Sequence, residues 1–99
     1  MVKHIVMWTV KATAEYSREE DIRRMQEKLV SLPALVPGIA AFEVGLNSNE
    51  SPAAFDVVLV STFPSWQDLR NYQEHPEHLK VAEFIGQVRD QRAVVDYEI

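Results

Sequence analysis

The chain has 99 residues, with 10 lysines and arginines against 15 aspartates and glutamates, a formal net charge of −5 with the histidines neutral. Length predicts one domain over residues 1–99 that buries roughly 60–70% of its unfolded surface, so a second copy would add useful burial. The acidic balance disfavours nucleic acid and anionic membranes as partners, and the absence of cysteine excludes disulfides, thiolate catalysis and cysteine-bound zinc.

Residues 2–10 (VKHIVMWTV) are β-branched and aromatic without glycine or proline, and predict a strand. Val2, His4, Val6, Trp8 and Val10 share one face; Lys3, Ile5, Met7 and Thr9 share the other. Both faces are largely apolar, which predicts a central strand. The stretch 5–10 is too short to span a bilayer and has no signal-cleavage pattern, which fits a cytoplasmic protein. Ser17-Arg18-Glu19-Glu20 reads as a capping box: the Ser17 hydroxyl accepts from the Glu20 amide while Glu20 reaches back. The helix it starts carries an apolar stripe at Ile22, Met25, Leu29 and Leu32, and Pro33 stops it. The charged run 19–24 reads as a solvated face with an i,i+4 pair from Glu20 to Arg24.

Residues 32–39 (LPALVPGI) hold two prolines and a glycine and predict an ordered bend. A second strand then alternates Phe42, Val44 and Leu46 with Glu43, Gly45 and Asn47, and 47–52 (NSNESP) has the composition of an exposed loop. Residues 55–63 (FDVVLVSTF) form a third strand, again apolar on both faces. Ser65 caps a short helix bearing Leu69 and Tyr72, and Pro76 breaks it while opening a second helix with Leu79, Val81, Ala82, Phe84, Ile85 and Val88. Residues 93–99 (AVVDYEI) make a fourth strand.

The resulting order, βαββααβ, predicts a ferredoxin-like α+β subunit with a four-stranded antiparallel sheet. Helices cover one face of such a sheet, so the apolar second face of the first and third strands needs another cover. A homodimer whose two sheets close into an α/β barrel supplies it most economically.

His4, His75, His78 and Tyr72 are the residues that could carry chemistry, because imidazole titrates near neutral pH and serves as a general acid or base. In one unbroken helix Tyr72 and His78 would lie about 240° apart, but the break at Pro76 lets two short helices turn both towards one cavity above the sheet. His4 shares its strand face with Val6 and Trp8 and could complete the floor, with Trp8 as a wall. Each also has an ordinary role: His75 as an extended residue before proline, His78 and His4 as hydrogen-bonded structural histidines, Tyr72 at the core edge. A metal would use His75, His78 and His4, yet no acidic residue is placed to complete that set, so no metal is expected. With three glycines and no GxSxG segment, phosphate-loop and serine-nucleophile chemistry lack support.

The ordered set His4-Ile5-Val6, Leu32-Pro33 with Pro37-Gly38-Ile39, and Phe42-Glu43-Val44-Gly45 resembles the stress-responsive A/B barrel (Dabb) domain family. Ser61-Thr62-Phe63, Asp68-Leu69, Tyr72 with His75-Pro76-Glu77-His78, and Val95-Asp96-Tyr97 extend the resemblance over nearly the whole chain. It implies a ferredoxin-like subunit in a homodimeric barrel, with a small apolar pocket for a hydrophobic or aromatic keto ligand and no cofactor. Within it, the chain distantly resembles olivetolic acid cyclase, a plant enzyme that closes a ring by aldol chemistry through a tyrosine and a histidine. That resemblance puts the catalytic roles on Tyr72 and His78 and a substrate contact on His4; Trp8, Val57 and His75 are the further candidate substrate contacts. A pocket histidine of the cyclase's third strand aligns with Val57, which has no polar group. Three functions follow as expectations: a Dabb-type protein with a small-molecule pocket, a cofactor-independent cyclase-like enzyme, or a structural, stress-protective oligomer.

Overall fold

In the computed structural model, which describes residues 1–99, the β-branched run Val2–Val10 (β1) lies at the centre of a four-stranded antiparallel sheet. It pairs with Val57–Phe63 (β3) on one side and Arg89–Glu98 (β4) on the other, and Ala41–Leu46 (β2) pairs with β3, giving the order β2-β3-β1-β4. Four helices complete the chain: Arg18–Val30 (α1), Leu32–Leu35 (α2), Trp66–Glu74 (α3) and Pro76–Val88 (α4). This is the ferredoxin-like α+β fold.

Residues directly paired across antiparallel strands point to the same side of the sheet. His4 pairs with Ser61 and Asp96, Val6 with Leu59 and Val94, and Trp8 with Val57 and Arg92. These occupy the helix-covered side, where Val2, Val6, Trp8, Val57, Leu59 and Phe63 are buried against Met25, Leu29, Tyr72, Val81 and Ile85. The other side carries Ile5 opposite Val60 and Val95, Met7 opposite Val58 and Ala93, and Lys3 opposite Thr62 and Tyr97. It is open in the subunit, with Val95 53% and Tyr97 42% exposed.

Local signals explain most element boundaries. Ser17 accepts from the Glu20 amide at 3.1 Å and Ser65 from the Asp68 amide at 3.2 Å, each satisfying an orphan donor of the first turn. In place of the reciprocal half of the capping box, the Ser17 hydroxyl donates to the Glu20 carboxylate at 3.1 Å. Pro33 opens the single turn of α2 rather than merely ending α1, which stops at Val30. Gly38 takes φ 89°, a left-handed turn with the Asp68 side chain close by, so a Cβ there would be strained. The exposed 47–52 loop is knit by its own bonds, among them Asn49 N–H to Asn47 Oδ1 and Ser51 N–H to Asn49 Oδ1 at 2.9 Å.

Several residues sit differently from the sequence pattern. Asp21 is fully buried and pairs with Arg24 at 2.9 Å, in place of a Glu20 to Arg24 pair. Arg24 lies 3.8 Å from the Tyr16 ring centre and 4.9 Å from that of Phe84, so this turn of α1 packs through a cation rather than facing solvent. Leu79 is 54% exposed, because the inward stripe of α4 runs through Val81, Ile85 and Val88. β3 begins at Val57, and β4 begins at Arg89, four residues before its apolar run. That early start is set by pairing with Trp8 and Val10 of β1, across a register shift where the Gln91 amide donates to Thr9 Oγ1 at 2.7 Å.

Candidate functional site

Between β1, β4 and helices α3 and α4 lies a cavity of about 240 Å³. His4, Val6 and Trp8 form its floor from β1, and Val81, Ile85 and Gly86 its roof from α4. Tyr72 and His78 enter from the two helices that meet at Pro76, with ring centres 4.5 Å apart. The turn that joins them is built by His75, whose extended backbone (φ −64°, ψ 137°) ends α3 and begins α4. Its Nδ1 accepts from the Glu77 amide at 3.1 Å, so the ring serves as an N-cap.

Of the candidate residues, His4, Trp8, Tyr72 and His78 therefore share one cavity. His75 lies outside it because its ring is occupied in capping α4. Val57 is buried in the core opposite Trp8 and is likewise absent from the cavity wall. Trp66, the other tryptophan of the chain, is 39% exposed and donates from its indole to Glu98 at 2.7 Å. No three His, Asp or Glu side chains converge to hold a metal ion.

Hydrogen bonding sets the state of each ring. His78 Nδ1 lies 3.0 Å from the Gln73 carbonyl oxygen, which can only accept, so Nδ1 carries the proton. Neutral His78 then presents Nε2 as a bare lone pair. Burial pushes its imidazole below the ordinary value of 6.5, with the charges of His4 and Arg92 acting in the same direction against the Gln73 bond. His4 Nδ1 is bonded to the Asp96 carboxylate, its partner in the β1-β4 register, which orients the ring and leaves Nε2 for other contacts. Tyr72 packs against Phe63 at 5.1 Å and its buried hydroxyl finds no partner within the chain. Desolvation drives that phenol well above its ordinary value of 10.0, so it remains a proton donor throughout the neutral range. The cavity thus unites a neutral base, a protonated phenol and an oriented imidazole among apolar walls.

The depressed imidazole has a consequence for stability. Between the folded and unfolded values the unfolded chain binds more protons, so the His78 contribution is complete above pH 6.5 and declines as the pH falls towards the folded value. An NMR titration of the His78 ring should show its midpoint below 6.5. A midpoint at or above that value would show that burial does not depress the ring.

Four lining residues were not singled out by the sequence pattern: Gln73, Gly86, Arg89 and Arg92. Gly86 is helical, and a Cβ there would meet nothing within 4 Å, so core packing does not require the glycine and its lack of a side chain leaves the cavity wide. Arg89 and Arg92 reach the cavity because β4 begins at Arg89, a start that their polar character concealed.

No curated protein matches the chain. Among solved structures, a dimeric protein of unknown function with a ferredoxin-like fold from Bacteroides fragilis is 33% identical, with TM-score 0.84 over 99% of this chain and 95% of that one. A hydroxynitrile lyase from Passiflora edulis is 24% identical, with TM-score 0.82 over 99% and 92% of the two chains, a likeness of fold. An Arabidopsis thaliana protein is 28% identical, with TM-score 0.70 over 100% and 95%. The model of the stress responsive A/B barrel domain matches residues 2–99, and the chain belongs to that family.

Proposed function

We propose that the chain is a cytoplasmic homodimer whose helix-side cavity is a cofactor-independent acid–base site acting on a small hydrophobic or aromatic carbonyl compound. The observation that carries this reading is the packing of His78, whose Nε2 lone pair is set by the Gln73 carbonyl, against the Tyr72 ring at 4.5 Å between centres, with the Tyr72 hydroxyl buried and without a partner. A buried hydroxyl without a partner costs on the order of 1–3 kcal/mol, which a ligand carbonyl would recover by accepting its proton in a hydrogen bond.

In the reaction class these groups suit, His78 Nε2 removes a proton from the carbon beside the carbonyl. Tyr72 donates to the carbonyl oxygen as it gains negative charge. The carbanion then bonds to a second carbonyl carbon, and the new alkoxide takes the proton back from the imidazolium, an aldol closure with no net oxidation. His4, held by Asp96, contacts the substrate through Nε2, and Trp8 forms an apolar wall. Deuterium exchange at the methylene of phenylacetone, followed by NMR in D2O, tests the first step without knowledge of the physiological substrate. Wild-type protein should accelerate it and His78→Gln should not; a wild-type rate equal to buffer would leave the cavity a binding or structural feature.

The dimer reading is supported by the open sheet face, where Ile5, Met7, Val58, Val60, Val95 and Tyr97 lie together. The Bacteroides fragilis protein with the same fold is itself described as dimeric. Light scattering should give twice the 11.3 kDa subunit mass. Val95→Lys places a charge on that face without touching the core, and should yield folded monomers at micromolar protein. A wild-type mass equal to one subunit at every concentration would overturn the barrel.

A further inference from the structure

We infer that the cavity is built for a small keto acid whose carboxylate is held by Arg92 and Arg89 while its carbonyl sits beside Tyr72 and His78. This rests on the acid–base reading above and adds the substrate class to it. The chain has net charge −5, yet the cavity wall contains two arginines and no carboxylate. The Arg92 side chain, exposed at the mouth of the cavity, makes no hydrogen bond or ion pair within the chain, and the Arg89 side chain donates only to the neighbouring Asp90 carbonyl, at 3.3 Å.

The acids that share this side of β4 with Arg92 are engaged elsewhere. Asp96 bonds to His4, and Glu98 accepts from the Trp66 indole. Arg92 sits opposite Trp8 in the strand register, and its charge acts on the His78 imidazole, so it lies within electrostatic reach of the reacting end. A guanidinium presents a planar fork that matches a carboxylate through two parallel bonds. The remaining wall, with Val6, Trp8, Leu59, Val81 and Ile85, suits an apolar body rather than a second charged group. A ligand with one anionic end, an adjacent carbonyl and an apolar tail satisfies every surface of this cavity.

Phenylpyruvate and phenylacetone differ only in that a methyl group replaces the carboxylate, and calorimetric titration with both tests the assignment. Wild-type protein should bind phenylpyruvate about tenfold or more tightly than phenylacetone. That preference should weaken with salt. Arg92→Gln should bring the two affinities together by weakening phenylpyruvate alone, and Arg92→Lys, which keeps the charge but not the fork, should retain part of the difference. Equal affinities in the wild type, or a preference that survives both Arg92→Gln and Arg89→Gln, would overturn the carboxylate assignment while leaving phenylacetone exchange intact. If neither probe binds and neither is exchanged, the acid–base reading falls with it.

Discussion

His78→Gln is expected to reduce catalysed proton exchange on a ketone probe by on the order of 10²–10⁴-fold, the usual contribution of one positioned general base. The expectation follows from tautomer logic. Because the Gln73 carbonyl requires a proton on Nδ1, the lone pair of neutral His78 is at Nε2, and burial with the nearby Arg92 charge keeps the ring neutral. Glutamine has no basic nitrogen, yet its side-chain amide can still donate to Gln73, so melting should shift by a few degrees at most. Tyr72→Phe separates the second role from packing. The ring is buried against Phe63, Phe42 and His78, and phenylalanine preserves those contacts while removing a hydroxyl that has no partner in the chain. Its stability should equal or slightly exceed that of the wild type, while exchange falls on the order of 10²-fold or more, because the developing enolate loses its donor. A large loss of stability in Tyr72→Phe would show that the hydroxyl serves the fold instead.

Asp56→Ala should lower stability by about 2 kcal/mol, which for a chain of this size is a fall in Tm of roughly 8–16 °C. Asp56 precedes β3 and is 9% exposed. Its Oδ2 accepts from the buried Val10 amide at 2.7 Å, Oδ1 is bonded to Arg18, and its own amide donates to the Trp8 carbonyl at 2.9 Å. One carboxylate therefore joins the end of β1, the entry to β3 and the first turn of α1. The dominant loss in alanine is the Val10 N–H left without a partner, since Arg18 is 46% exposed and regains water. Asp56→Asn keeps an acceptor for that amide and should cost about half as much. Thermal melts of the two variants decide the point: equal losses would place the effect in the ion pair with Arg18 rather than in the buried amide.

The legible parts of this protein were those specified by neighbours in sequence. Strand periodicity at 2–10 and 55–63, the Ser17 and Ser65 caps and the break at Pro76 each depend on a few adjacent residues, and each element lies where its pattern puts it, except that the third strand begins two residues later, at Val57. Leu79, exposed on α4, shows that apolar character alone does not say which side of the helix faces the sheet. Arg24, in the run read as a solvated face, packs on Phe84 of another helix, and Asp56 accepts from an amide 46 residues away, so the partners of both are supplied by folding. A polar side chain carries no sequence signal of burial until such partners are known.

For the candidate site, the sequence determined the chemical inventory: three histidines, a tyrosine before Pro76, no cysteine and an acidic chain. Tertiary structure decided how that inventory is used. It put His4, Trp8, Tyr72 and His78 around one cavity, turned His75 into a helix cap and left Val57 in the core. It also carried β4 back to Arg89, bringing two arginines to the cavity of an acidic protein. The physical reason is that helix and strand periods are local properties of the backbone, whereas a cavity, the tautomer of an imidazole and the pairing of a charge depend on atoms that only the assembled sheet and its packed helices bring within reach.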